Sequence, residues 1–225
     1  GRRGGRSRRR GRCPCRCRRT GCRSQEGIIR LDLICVGLGN PGRDYEQTRH
    51  NVGFWLVDML AASHGVSLRK PLFKPWKQGF CALGADRLVL VQPLTFMNRS
   101  GEVFQDNPDL APGPDRQVLV FCDQMDLPPG ALRLKKRGGS AGHNGLKSLV
   151  ATIGEDFSPL YIGIGRPEPG VEVIDHVLGV PSAADRDLVN SALARAVQGI
   201  DCLYRQGIDA AMNLLNRRDG NQVPG

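Results

Sequence analysis

The sequence predicts a single α/β domain. Three observations carry that prediction: short apolar runs of strand length recur along the chain, stretches with helically spaced apolar residues alternate with them, and 225 residues are enough for one sizeable core. Residues 31–37, LDLICVG, are an apolar run closed by the turn sequence GNPG, which predicts a buried strand. Over 51–64, Val52, Leu56, Val57 and Leu60 recur at helical spacing, and Gly65 supplies a stop. RLVLVQP (87–93) and QVLVFCD (117–123) predict two more strands. ALRLKKR (131–137) alternates apolar and charged side chains, so its strand keeps one face in water. After a glycine-rich loop, residues 143–153 read as helix and LYIGIG (160–165) as strand. Val189, Leu193, Ala196, Ile200 and Leu203 mark a packing helix, and no internal repeat is present. The predicted strands end at Gly37, Pro93 and Asp123, and in open α/β sheets ligands gather beyond such carboxyl ends. Asp123 is therefore a candidate functional group.

The formal charge of +10 invites a nucleic-acid partner, but residues 1–23 hold eleven arginines and no acid. Without them 21 basic residues face 22 acidic ones, so the high pI lends no support to RNA binding by the remainder. Residues 1–27 are expected to be a disordered leader and 28–225 the domain, because the leader is almost without core-forming side chains. It lacks the apolar region of a secretory signal and the apolar stripe of a mitochondrial presequence. The first methionine is Met59, inside the folded pattern, so an upstream extension or an over-long gene model is expected. Cys13, Cys15, Cys17 and Cys22 have a spacing that suits a soft metal, but the surrounding arginines repel cations and no metal is expected there. Cys35, Cys81, Cys122 and Cys202 are scattered and read as free thiols, which suits a reducing cytosol. No run of about 18 apolar residues predicts a membrane span.

Two short motifs compete for the chemistry. Gly37, Gly39 and Gly42 satisfy the G-x-G-x-x-G of a dinucleotide-binding turn, but the following residues lack helical periodicity and Asp58, at the acid's distance, falls mid-helix. Gly138-Gly139-Ser140-Ala141-Gly142 satisfies the G-x-S-x-G of a serine esterase, with Asp175 and His176 following in a permitted order. The strand before it carries alternate charges, unlike the buried strand an esterase elbow needs, so a glycine loop that admits a polymer backbone is the preferred reading.

GLGNPG (37–42), TRHNVG (48–53), TFMNRSG (95–101), DQMDLPPG (123–130), GGSAGHNGLKS (138–148) and IGIGRP (162–167) together resemble the signature stretches of bacterial-type peptidyl-tRNA hydrolases, in that family's order and spacing. The resemblance covers about residues 31–216. It implies a single domain with a twisted mixed sheet flanked by helices, a phosphorylase/hydrolase-like fold. It also implies a cofactor-free and metal-free cytoplasmic monomer, with no obligate protein partner, that hydrolyses the ester between a peptide and the tRNA 3′ ribose.

The side chains suit that chemistry. A neutral imidazole at His50 can take a proton from water, and a carboxylate at Asp123 can fix its tautomer. Carried over by motif, Asn40 senses that the substrate's amino group is blocked. Asn98 and Asn144 hold the peptide and the 3′ end, Tyr45 and Phe96 supply ring surface, and Met97 belongs to the same binding set. Arg133, Lys135 and Lys147, with Lys136 and Arg137, are candidates for tRNA phosphates. His143 reads as a loop histidine rather than a second base. Before IGIGRP the family commonly has arginines where this chain has Ser158-Pro159-Leu160-Tyr161, which puts one phosphate contact in doubt. The competing readings are a serine esterase using Ser140 and a binding protein similar to plant organelle relatives that bind RNA for splicing; a pure binder has no need of both His50 and Asp123.

Overall fold

The computed structural model describes residues 31–217. The expected leader, with Cys13, Cys15, Cys17 and Cys22, lies outside the described residues. The chain runs through β1 (Asp32–Gly37), α1 (Val52–Ser63), β2 (Trp76–Leu83), β3 (Asp86–Pro93), α2 (Glu102–Asp106), β4 (Arg116–Gln124), β5 (Leu132–Leu134), α3 (Asn144–Ile153), β6 (Ser158–Gly163), α4 (Val173–Leu178), α5 (Ala183–Gln206) and α6 (Ile208–Leu215). The strands form one sheet in the order β2-β3-β1-β4-β6-β5. Neighbours among β3, β1, β4 and β6 are parallel, whereas the edge strands β2 and β5 run antiparallel to β3 and β6. The mixed sheet that the family resemblance implied is present.

Helices cover both faces. On one, Leu33, Cys35, Leu88, Leu90, Leu119 and Phe121 pack with residues of α1, α5 and α6. On the other, Ile34, Val36, Val89, Val91, Val118 and Val120 pack with residues of α2 and α3. A strand buried on both faces has no polar side to show, so β1, β3 and β4 read as unbroken apolar runs rather than alternating ones.

The differences from expectation lie at the edges. β2 has a mixed burial pattern and an interior Gly79, so WKQGFCAL lacks the signature of a strand. It forms by hairpin pairing with β3 across a short turn in which Gly84 has φ 61. β6 starts two residues before the predicted run, because Ser158 and Pro159 pair with Leu119 and Val120. β5 is shorter than predicted but has the expected amphipathy: Leu132 and Leu134 are buried and Arg133 is exposed. The terminal helix reaches Gln206, and Gly207 (φ 85) breaks it from α6.

β1 and β4 are neighbours, yet the chain leaves β1 for α1 on one face and leaves β4, by way of β5, for α3 on the other. Such a divergence opens a crevice beyond the strands' carboxyl ends. Two glycines bring α1 against that crevice. A Cβ on Gly37 would lie 2.3 Å from the Gly53 carbonyl oxygen, and one on Gly53 would lie 2.5 Å from the carbonyl oxygens of Leu38 and Phe121. Only glycine permits that approach, which seats the turn before α1 at the end of β4.

Candidate active site

Asp123 occupies the carboxyl end of β4 with a side chain only 4% exposed. His50 sits in the 3-10 turn Arg49–Asn51 that opens α1, and its Nδ1 lies 2.7 Å from Asp123 Oδ1. His143 reaches the same oxygen through Nε2 at 3.0 Å. The two rings are tilted, with centroids 5.1 Å apart. Three elements far apart in sequence thus converge on one carboxylate oxygen.

The protonation of each ring follows from its second nitrogen. His143 is the N-cap of α3: its Nδ1 accepts from the backbone N–H groups of Gly145 (3.1 Å) and Leu146 (3.4 Å). An accepting Nδ1 carries no proton, so Nε2 holds the hydrogen donated to Asp123. Both nitrogens of His143 are committed. His50 donates Nδ1–H to Asp123, which leaves its lone pair on Nε2. Burial pushes the Asp123 carboxyl upward, but its electrostatic interactions and hydrogen bonds with His143 and His50 outweigh it and hold the group well below the usual carboxylate range. His50, Asp123 and His143 also place one potential metal-ligand atom each within 4.8 Å of one another. Their contacts are hydrogen bonds, however, and His143 becomes a ligand through Nε2 only by losing the proton that its capping role assigns there.

Beside this trio lies a second, neutral network. The backbone N–H of Asn40 donates to Asn51 Oδ1 (2.8 Å), and Asn51 Nδ2 donates to the Asn40 carbonyl (3.0 Å). Asn51 is thereby an amide clamp on the loop after β1, buried to 2% exposure. Asn40 Oδ1 accepts the Met97 backbone N–H at 2.9 Å, which turns the Asn40 side chain so that its NH₂ is the group left to donate. Met97 is buried and acts in this network through its backbone. A Cβ on Gly145 would lie 2.7 Å from Met97 Sδ, so the Met97–Arg99 turn packs directly on the start of α3.

The other predicted residues surround this centre. Phe96, Asn98 and Asn144 are exposed on the two elements that abut, and Tyr45 is half-buried in the turn after Gly42. Arg133 and Lys135 are exposed on and just after β5, and Lys147 is exposed on α3; Lys135 Nζ lies 5.4 Å from the centre of the Tyr161 ring. Lys136 pairs with Asp209 at 2.7 Å. Two readings need correction or extension. His143 is not an incidental loop histidine but a helix cap bonded to Asp123. The clamp at Asn51, next to His50, carries no sequence signal, because nothing in the sequence reveals that its amide faces Asn40.

Neither competing motif assembles. After Gly37 the chain makes turns, with Gly42 at φ 109, and α1 begins only at Val52; Asp58 bonds Gln92 instead of reaching a ligand site. His176 spends Nε2 on the Gly165 carbonyl at 3.0 Å, and among the described residues no hydrogen bond joins Ser140 to His176 or Asp175.

A family model described as Peptidyl-tRNA hydrolase matches residues 34–223. The chain belongs to the peptidyl-tRNA hydrolase family. It is 43% identical over 185 residues to a peptidyl-tRNA hydrolase of Alcanivorax borkumensis, covering 81% of this chain and 95% of that protein. It is 42% identical over 189 residues to one from Dichelobacter nodosus, covering 83% and 98%. Among solved structures, peptidyl-tRNA hydrolase from Acinetobacter baumannii superposes with a TM-score of 0.74 at 39% identity, covering 83% of this chain and 94% of that one. The family's matched region contains the whole hydrogen-bonded centre, from Asn40 to His143.

Proposed function

We propose that this chain hydrolyses the ester between a peptide and the 3′ ribose of tRNA, with His50 as the general base. The observation that carries the reading is the 2.7 Å contact of His50 Nδ1 with a buried, ionised Asp123, which leaves Nε2 to receive a proton. Water positioned at Nε2 attacks the ester carbonyl carbon while the imidazole takes its proton, a contribution on the order of 10² to 10⁴ in rate. Asp123 stabilises the imidazolium so formed, as a triad carboxylate does. Collapse of the tetrahedral intermediate breaks the bond to the ribose oxygen, which takes the proton back from His50. Free peptide and free tRNA are the products, and no covalent enzyme intermediate, metal or cofactor enters the route.

Asn40 supplies specificity. Its NH₂ donates, so it pairs with the carbonyl oxygen of an N-acylated residue, whereas a free ammonium is donor-only and is refused. Asn98 and Asn144 hold the peptide and the 3′ end, Tyr45 and Phe96 offer ring faces, and Arg133, Lys135 and Lys147 take phosphates of the acceptor stem. Ser158-Pro159-Leu160-Tyr161 stands where the family commonly has arginines and supplies no cation to a phosphate. Every group comes from one chain, which suits a monomer. Among the described residues no helix is long and apolar enough to cross a membrane, and a substrate made in translation suits a cytoplasmic enzyme.

The test is release of peptide from N-acetyl-aminoacyl-tRNA by the wild type, His50→Ala and Ser140→Ala. Loss in His50→Ala with retention in Ser140→Ala supports the reading. The reverse pattern installs a serine esterase, and a wild type that binds tRNA without cleaving it is a binding protein.

A further inference from the structure

Residues 69–77 present unusual chemistry beside the catalytic end of the sheet. Leu72 is 79% exposed and Phe73 92%, and Phe73 has φ 59, a left-handed backbone that a bulky L-residue seldom adopts. Strain that throws a large aromatic into water is a pointer to function. Arg69, Lys70, Lys74 and Lys77 are all exposed around it, and no acidic residue occurs between Asp58 and Asp86. Lys74 Nζ lies 5.2 Å from the centre of the Trp76 ring. Among the described residues, Arg69, Lys70 and Lys74 form no ion pair with a carboxylate.

The segment's position gives these groups a substrate to meet. Trp76 pairs with Pro93 at the end of β3 that corresponds to the carboxyl end of β1, and Leu94 N–H donates to the Pro75 carbonyl at 2.6 Å. Two residues on stands the exposed Phe96, followed by Met97 bonded to Asn40. β2 is three strands from β4, the strand that carries Asp123 at its carboxyl end, roughly 15 Å at the usual strand spacing, which an extended chain covers in about four residues. The phosphate candidates Arg133 and Lys135 lie on the other side of Asp123, on and beside the edge strand β5.

We propose that residues 69–77 are a docking pad for the nascent peptide of the substrate, taking side chains from about the fourth residue outward from the ester and favouring apolar and acidic ones. This rests on the reading of the site as one for peptidyl-tRNA. Peptide and tRNA leave the ester in different directions, and the flank opposite the phosphate candidates is the peptide's. Leu72 and Phe73 provide apolar contact that phosphates cannot use, and cations without a carboxylate partner among the described residues match acidic side chains.

The experiment compares N-acetyl-aminoacyl-tRNA with tRNAs carrying hexapeptides whose fourth to sixth residues, counted from the ester, are Leu and Glu, or Ser and Lys. The proteins are the full-length wild type, Leu72→Ser/Phe73→Gly and Lys70→Glu/Lys74→Glu. The glycine removes the left-handed strain, so the first variant folds at least as readily at that position. Its KM for the Leu/Glu hexapeptide is expected to rise roughly tenfold, with kcat and single-residue turnover unchanged. In the charge-reversed variant the preference shifts from Glu toward Lys. Equal effects on the single-residue and Leu/Glu hexapeptide substrates, or none, overturn the pad while leaving the hydrolase reading intact. Weaker, less salt-dependent binding of deacylated tRNA by the charge-reversed variant assigns the loop to RNA and also overturns it. A wild type that leaves N-acetyl-aminoacyl-tRNA uncut overturns the hydrolase reading itself.

Discussion

The turn before α1 and the start of α3 each deliver a histidine to the same oxygen of Asp123, at 2.7 Å and 3.0 Å. Residue type and partner are identical; what differs is the other ring nitrogen. At the α3 start it is consumed by two backbone N–H groups, so His143 is fixed in one neutral tautomer and serves as a cap and a strut. At the α1 turn it keeps a lone pair. A histidine's chemistry is thus set by the bond its second nitrogen makes, more than by the carboxylate it shares.

Removing the free lone pair is the severest way to test this division. His50→Ala is expected to lower kcat on an N-blocked substrate by about 10² to 10⁴, with KM little changed. Asp123→Asn should follow closely, because both rings lose their anionic partner, and it also tests the electrostatics. The folded-state carboxyl of Asp123 is held below its ordinary value, so its stabilising contribution is complete above the usual carboxylate range and is lost as pH falls through and below it. Urea unfolding between neutral pH and pH about 3 should show a smaller loss of stability in Asp123→Asn than in the wild type. Asn51→Leu leaves the Asn40 N–H and carbonyl unpaired in a buried place, and should cost roughly 1 to 3 kcal/mol for each group left unsatisfied, read by the same unfolding assay. His143→Ala should cost about 1 kcal/mol through the lost cap, and His143→Asn, a residue that caps well, should recover most of it. The smallest effect is spectroscopic: burial pushes the Tyr161 phenol up to about 12, so one tyrosine should ionise late in an ultraviolet titration and rejoin the others on unfolding.

The sequence makes one half of this comparison legible and hides the other. β1, β3 and β4 announce themselves as unbroken apolar runs because both their faces are covered, and Asp123 stands out because it ends one of them. His50 and Asn40 are legible through the stretches around them. The cap at His143 depends on the backbone turning into α3 in one particular way, and the clamp at Asn51 depends on the approach of α1 that Gly37 and Gly53 allow. Both are products of tertiary packing, which leaves no periodicity to read. β2 escapes for a related reason: an edge strand with an interior glycine is defined by its partner, not by its own side chains.

The central claim, that His50 and not His143 moves the proton, is tested most directly by single-turnover release of peptide from N-acetyl-aminoacyl-tRNA at saturating enzyme. His50→Ala should be slower than His143→Asn by about 10² or more. Equal losses in the two variants, or a greater loss in His143→Asn, would contradict it.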